Sequence, residues 1–204
     1  MKITAENLGK RFNREWIFRN LNYTFEAGNT YAVVGPNGSG KSTLMQILWG
    51  QLPPSLGLLN YTLGEMKIPV EEIFNYLSIA TPYQELIEEF TLREMVRFHF
   101  RFKNTRGATL EEMMDKMELS HASGKLISNF SSGMRQRVKL GLAFFSESPI
   151  LFFDEPTTNL DKKSILWYGE QLKRLPAGLL IFIASNQEHE YPTNAQKIDI
   201  SSYK

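Results

Sequence analysis

The stretch Gly35-Pro36-Asn37-Gly38-Ser39-Gly40-Lys41-Ser42-Thr43 constrains this chain more than any other. Before it, Thr30 to Val34 is a β-branched and aromatic run that predicts a strand. After it, Leu44, Ile47 and Leu48 recur at helical spacing from Ser42 to Trp49, until Gly50 and the Pro53-Pro54 pair stop the helix. A strand that becomes a helix through glycines can wrap its backbone so that several N–H groups point at one centre, with the positive end of the helix dipole behind them. The spelling fits G-x-x-x-x-G-K-[ST], in which Lys41 reaches the β and γ phosphates of a nucleotide and Ser42 offers its hydroxyl to Mg²⁺. Gly35, Asn37, Gly38, Ser39, Gly40 and Thr43 would line the cradle. An ordinary glycine-rich turn is the plainer alternative, and the flanking strand and helix favour the cradle.

A second motif follows later in the chain. Ile150-Leu151-Phe152-Phe153 is an apolar run ending in Asp154-Glu155, which puts two carboxylates at the carboxyl edge of a buried strand, where open parallel sheets bind ligands. Asp154 is expected to hold Mg²⁺ and Glu155 to orient or deprotonate an attacking water. Strand-like segments at Lys2–Glu6, Leu21–Glu26, Leu58–Leu63, Tyr76–Ala80, Leu179–Ala184 and Lys197–Ile200 alternate with helical ones, so the fold class is α/β with a mainly parallel sheet. From Thr91, capped with Glu94, the period turns helical; after a turn at Asn104–Ala108, Leu110–Leu119 and Gly133–Phe145 read as further helices, so Phe90 to about Phe145 forms a helical block. One domain over 1–204 is expected, with a catalytic core at about 1–85 and 148–204 and a helical subdomain inserted at about 86–147.

Between the two motifs lies Phe130-Ser131-Ser132-Gly133-Met134-Arg135-Gln136-Arg137, which resembles the L-S-G-G-Q signature of ATP-binding cassette proteins and the basic residue and Q-R that follow it. Phe130, Ser132 and Met134 depart from that signature, whereas Ser131 and Gly133 keep it. Arg135, Arg137 and Lys139 read as a basic stripe behind the start of a helix, a second anion site. The resemblance runs from the Phe12 region to Asn186. It implies an ATPase with a phosphate-loop core, an N-terminal antiparallel β subdomain and an inserted helical subdomain.

The same resemblance implies roles. Gln84 would approach Mg²⁺ and the attacking water, Asp161 would act at a loop touching a second cassette subunit, and Ser131 and Gly133 would meet that subunit's ATP. Phe12 would stack on adenine, with Trp16 as its rival. Where the family places a switch histidine, this chain has Asn186, which can donate a hydrogen bond without carrying charge; His189 is a possible substitute, and an exposed loop histidine is the preferred reading of it.

With 23 basic and 22 acidic residues nearly cancelling, nothing argues for a polyanion-binding surface, and nucleic acid is not expected as a partner. The absence of cysteine fits a reducing compartment, and no apolar run approaches the ~18–20 residues that span a bilayer. The expected partners are ATP, a second cassette subunit and an integral membrane subunit that holds this chain at the inner face of the cell membrane, in the cytoplasm. An ATP-gated regulatory subunit, or the hydrolysis-poor half of a heterodimer, is the alternative. The stretch between Lys41 and Ser131 is too short for the long coiled coils of chromosome-organising relatives.

Overall fold

The computed structural model describes all 204 residues. In chain order the strands and helices are β1 (Lys2–Phe12), β2 (Glu15–Glu26), β3 (Thr30–Val34), α1 (Lys41–Leu48), β4 (Leu56–Leu63), β5 (Met66–Ile68), β6 (Leu77–Ala80), α2 (Leu92–His99), α3 (Leu110–Lys116), α4 (Ser132–Phe145), β7 (Ile150–Asp154), α5 (Lys162–Lys173), β8 (Leu180–Ala184) and β9 (Gln196–Asp199). They fall into two compact units: residues 1–77, 149–155 and 176–204, and residues 78–148 and 156–175.

The first unit holds an antiparallel sheet in the order β2-β1-β4-β5 and the parallel strands β7-β8-β3-β9. The α/β class and the antiparallel opening are therefore as expected. β1 and β2 are much longer than their alternation suggests. Ile3 and Ala5 are buried, but so is Leu8, because the register slips between Ala5 and Leu8 and Asn7 takes a positive φ of 49°. A bulge of this kind flips the side-chain phase and hides the continuity of a strand.

Register in the parallel sheet sets the level of the strand tips. Asp154 pairs with Ala184, and Ala184 with Val33, so β7, β8 and β3 end together. The loops leaving them begin with Glu155, Ser185 and Gly35 respectively. Beneath, β7 and β8 are buried throughout. Phe152 stacks on Phe182 with centroids 4.7 Å apart, and Phe25 and Trp49 close on this pair edge-on. Helix α1 turns Leu44, Met45, Ile47 and Leu48 inward. These side chains are worth about 1.5–3 kcal/mol each when fully buried, which holds the strand tips to a fixed platform.

The second unit is mainly helical. Val138, Leu142 and Phe144 of α4 are buried, as are Met113, Met114 and Met117 around the end of α3, and Trp167 and Tyr168 of α5. Trp167 donates its indole N–H to Lys116 O at 2.6 Å, tying α5 to the end of α3. Residues 156–175 thus cluster with 78–148 rather than with the strands on either side of them in the chain.

Candidate phosphate site

In the first unit, β3 runs into Gly35 (φ 141°), and the loop passes through Gly38 (φ 75°) and Gly40 (φ 108°) before α1 begins. A Cβ on Gly35 would stand 2.7 Å from Ser39 Oγ, and one on Gly40 2.4 Å from Ile17 Cγ2, so neither position admits a side chain. Ile17 lies on β2, whose hairpin with β1 is therefore packed directly against the loop. Phe12 sits at the end of that hairpin, 47% exposed, with Lys10 Nζ 5.2 Å from its ring centroid. Trp16, by contrast, packs against Gly9.

Helix α1 starts with no side-chain cap and no acid in its first turn. Its leading N–H groups have no intrahelical partner and its dipole is not neutralised, which leaves an anion seat. Lys41 is buried, and its ammonium donates to Gly35 O at 2.9 Å and Pro36 O at 3.3 Å. Ser39 Oγ is buried and has no hydrogen-bond partner. A buried orphan hydroxyl is costly, and a phosphate oxygen in the cradle would satisfy it.

At the neighbouring strand tip Asp154 is 2% exposed, and its Oδ1 is likewise buried without a partner. Burial pushes its carboxyl up to about 6; the Ser42 hydroxyl and the Lys41 charge pull the other way, while Glu155 and Glu190 add to the rise. An ionised carboxylate held in so poor a solvent gains from a cation beside it. Ser42 already bonds it, so a hydroxyl and a carboxylate oxygen stand together beside the cradle, a hard-oxygen set that suits Mg²⁺ shared with phosphate oxygens. Glu155 takes a positive φ of 45°, and its N–H is held by Ala184 O at 2.9 Å. A non-glycine residue in that region is costly and marks a backbone constrained by its surroundings. Asn186 follows β8, and its amide donates to Asn37 Oδ1 at 2.9 Å, so the two asparagines join two strand-tip loops. His189 is exposed. Glu190 escaped the sequence reading: it is 1% exposed and its charge acts on Asp154, but nothing local distinguishes it from any glutamate in a polar turn.

The second unit carries the other expected residues in two places. Gln84 lines an open cavity of about 370 Å³ with Glu85, Glu88, Arg135 and Lys139, and its Oε1 is buried without a partner. Ser131, Gly133 and Asp161 share a different cavity, also about 370 Å³. Ser131 caps α4 by accepting from Met134 N at 3.2 Å, and Asp161 caps α5 by accepting from Ser164 N at 2.8 Å. The Ser164 hydroxyl and N–H hold the Asp161 carboxyl below the usual range.

The expected basic stripe on α4 does not exist. Arg135 pairs with Glu88 at 2.7 Å, Arg137 is buried against Glu118 at 3.0 Å, and Lys139 donates to Pro82 O at 2.8 Å. Residues two apart on a helix point about 200° from each other, so 135, 137 and 139 cannot share a face. Of the three, only Arg137 lines the cavity of Ser131 and Gly133.

Taken together, a glycine cradle before an open helix start, a buried aspartate beside a hydroxyl, and an adjoining glutamate on a strained tip define a phosphate-loop nucleotide hydrolase. Residues 18–158 match the family described as ABC transporter. The cytochrome c biogenesis ATP-binding export protein CcmA of Brucella abortus is 31% identical over 173 residues, 85% of this chain and 79% of that protein. The Nod factor export ATP-binding protein I of Burkholderia lata is 27% identical over 189 residues, 90% of this chain and 62% of that protein. A putative ABC transporter ATP-binding protein from Pyrococcus furiosus shares the fold, with a TM-score of 0.82 at 20% identity over 100% of this chain and 99% of that one. The chain belongs to the ABC transporter family, as an ATP-binding, ATP-hydrolysing subunit of a membrane transporter. No helix of its own is long and apolar enough to cross a membrane.

Proposed function

We propose that the chain works as a Mg·ATP-driven cassette, closing head to tail with a second copy or a related subunit, at the inner face of the cell membrane on a spanning partner. The observation that carries this reading is Asp154: a buried carboxylate oxygen without a partner, beside the Ser42 hydroxyl and the phosphate cradle. The export proteins among the relatives support an outward direction of transport.

The cradle amides from Gly35 to Thr43 and the start of α1 hold the triphosphate, and Lys41 exchanges its loop carbonyls for phosphate oxygens. Phe12 offers an exposed ring to adenine. Ser42 and Asp154 would hold Mg²⁺, which supplies the positive charge that offsets the phosphates. Glu155 orients the attacking water and accepts its proton. Asn186 donates a neutral hydrogen bond toward the γ-phosphate. Ser131, Gly133 and Asp161 face the ATP held by the second subunit.

Calorimetric titration with ATP, with and without Mg²⁺, tests the metal assignment. Wild type gains affinity from the cation, and Asp154→Asn loses that gain while still binding ATP; an undiminished gain in the variant sinks it. For the dimer, Glu155→Gln with saturating ATP is expected to double in mass by sedimentation. A second reading, a regulatory half that scarcely hydrolyses, draws on Asn186, whose amide is tied to Asn37 and carries no charge. Equal and negligible phosphate release from wild type and Glu155→Gln would favour it.

A further inference from the structure

Helix α4 buries two polar side chains directly after the signature loop: Gln136 is 4% exposed and Arg137 9%. An amide and a guanidinium are expensive to bury unless every donor is met. Both are met largely from one stretch of chain. Gln136 Nε2 donates to Pro156 O at 2.9 Å, and Arg137 Nη2 donates to Ser164 Oγ. Arg137 is fixed from its other side by Glu118 Oε2 at 3.0 Å and Met117 O at 3.3 Å, and it lies 5.3 Å from the Trp167 ring centroid. Ser164 passes the link on, since its hydroxyl and its N–H both bond Asp161.

We propose that Gln136 and Arg137 are positioning residues that fasten the Asp161 loop at both ends to the signature helix, so that the two loops facing a second subunit move as one surface. Gln136 pins the start of the loop at Pro156, and Arg137 pins its end through Ser164 and Asp161. In the middle there is no slack: a Cβ on Gly133 would stand 2.9 Å from Asn159 O. All of these contacts lie within the second unit, where Pro156 is its first residue after Glu155 in the chain. A clamp of this kind makes turnover depend on what the signature loop meets. Binding of ATP to a single chain would not depend on it, because no clamp residue lies in the cradle. The inference rests on the reading that this face meets the second subunit's ATP.

Ser164→Ala removes the hydroxyl between Arg137 and Asp161 without touching either, and Ser164→Thr restores it. The alanine variant is expected to lose about tenfold in kcat while its affinity for a fluorescent ATP analogue, measured on dilute protein, stays within about twofold. The threonine variant recovers most of the loss. Gln136→Met, similar in shape but with no donor, must reproduce the turnover defect independently. Wild-type turnover in Ser164→Ala or Gln136→Met overturns the proposal, as does a defect that Ser164→Thr fails to repair, because a hydroxyl-independent loss is a packing effect. Should Glu155→Gln stay monomeric with ATP, the dimer reading falls by itself, and the clamp is still judged on turnover of the Ser164 pair.

Discussion

The starts of α1 and α2 solve the same physical problem in opposite ways. Each exposes N–H groups that the helix cannot satisfy. At α2, Thr91 accepts from Glu94 N at 3.3 Å and the Glu94 carboxylate accepts from Thr91 N at 2.8 Å, and α3 repeats this box with Thr109 and Glu112. At α1 there is a glycine and no acid. Helix α4 stands between them: Ser131 satisfies one N–H, but Met134 takes the place where the boxes carry glutamate. A closed start stabilises the fold, whereas an open one keeps its hydrogen bonds and dipole for a ligand. Departures from local rules are therefore informative about function.

The largest expected effect comes from closing the open end. Gly40→Asp would add a cap and a negative charge where the phosphates sit, at a φ of 108° and against Ile17. ATP affinity by calorimetry should fall on the order of a hundredfold or more. Retained affinity would show that the open helix start is incidental.

The far end of α2 also departs from the rule that basic residues serve a helix C-terminus. His99 lies in its last turn, yet burial, aided by the Lys103 charge, lowers its pKa to about 4, and its Nε2 pairs with Ser146 Oγ at 2.9 Å. The folded state therefore binds this proton less readily than the unfolded chain, whose histidine titrates near 6.5. Stability from this residue is present above pH 6.5 and lost as pH falls towards 4. Between pH 6.5 and 5 the loss is about 2 kcal/mol. Urea midpoints across that range should fall in wild type and stay flatter in His99→Gln.

Opening a closed end should cost less. Thr91→Ala is expected to lower the stability of the helical unit by about 1 kcal/mol, read from urea unfolding, and to leave ATP affinity unchanged. An anion site appearing at α2 in that variant would mean that the glycine loop adds little to a bare helix start.

What the sequence shows and what it hides divides along the same line. The cradle from Gly35 to Thr43 and the Thr91–Glu94 cap are local chemistry, and the spelling alone places them on their elements. The parallel order β7-β8-β3-β9 puts β3 between β8 and β9, strands far away in sequence, so only the general class was legible. The bulges of β1 and β2 concealed their length, since alternation fails at each register slip. Tertiary contacts decided the rest of the site. Nothing local says that Arg137 turns inward to Ser164, that Gln136 reaches Pro156, or that Glu190 is buried with its charge acting on Asp154.

The smallest expected effect concerns a neutral group beside the open end. Asn186 spends one of its two amide N–H groups on Asn37 Oδ1, and the other, neutral, is what it can offer a phosphate. A charged hydrogen bond to a phosphate is roughly twice as strong as a neutral one, so Asn186→His should raise kcat about threefold. The gain requires the imidazolium and must therefore be larger at pH 6 than at pH 8. Phosphate release at saturating ATP measures both, and Asn186→Ala should move the other way. If histidine gives no gain even at pH 6, the charge supplied by Lys41 and the start of α1 is already sufficient, and the neutral residue costs the enzyme nothing.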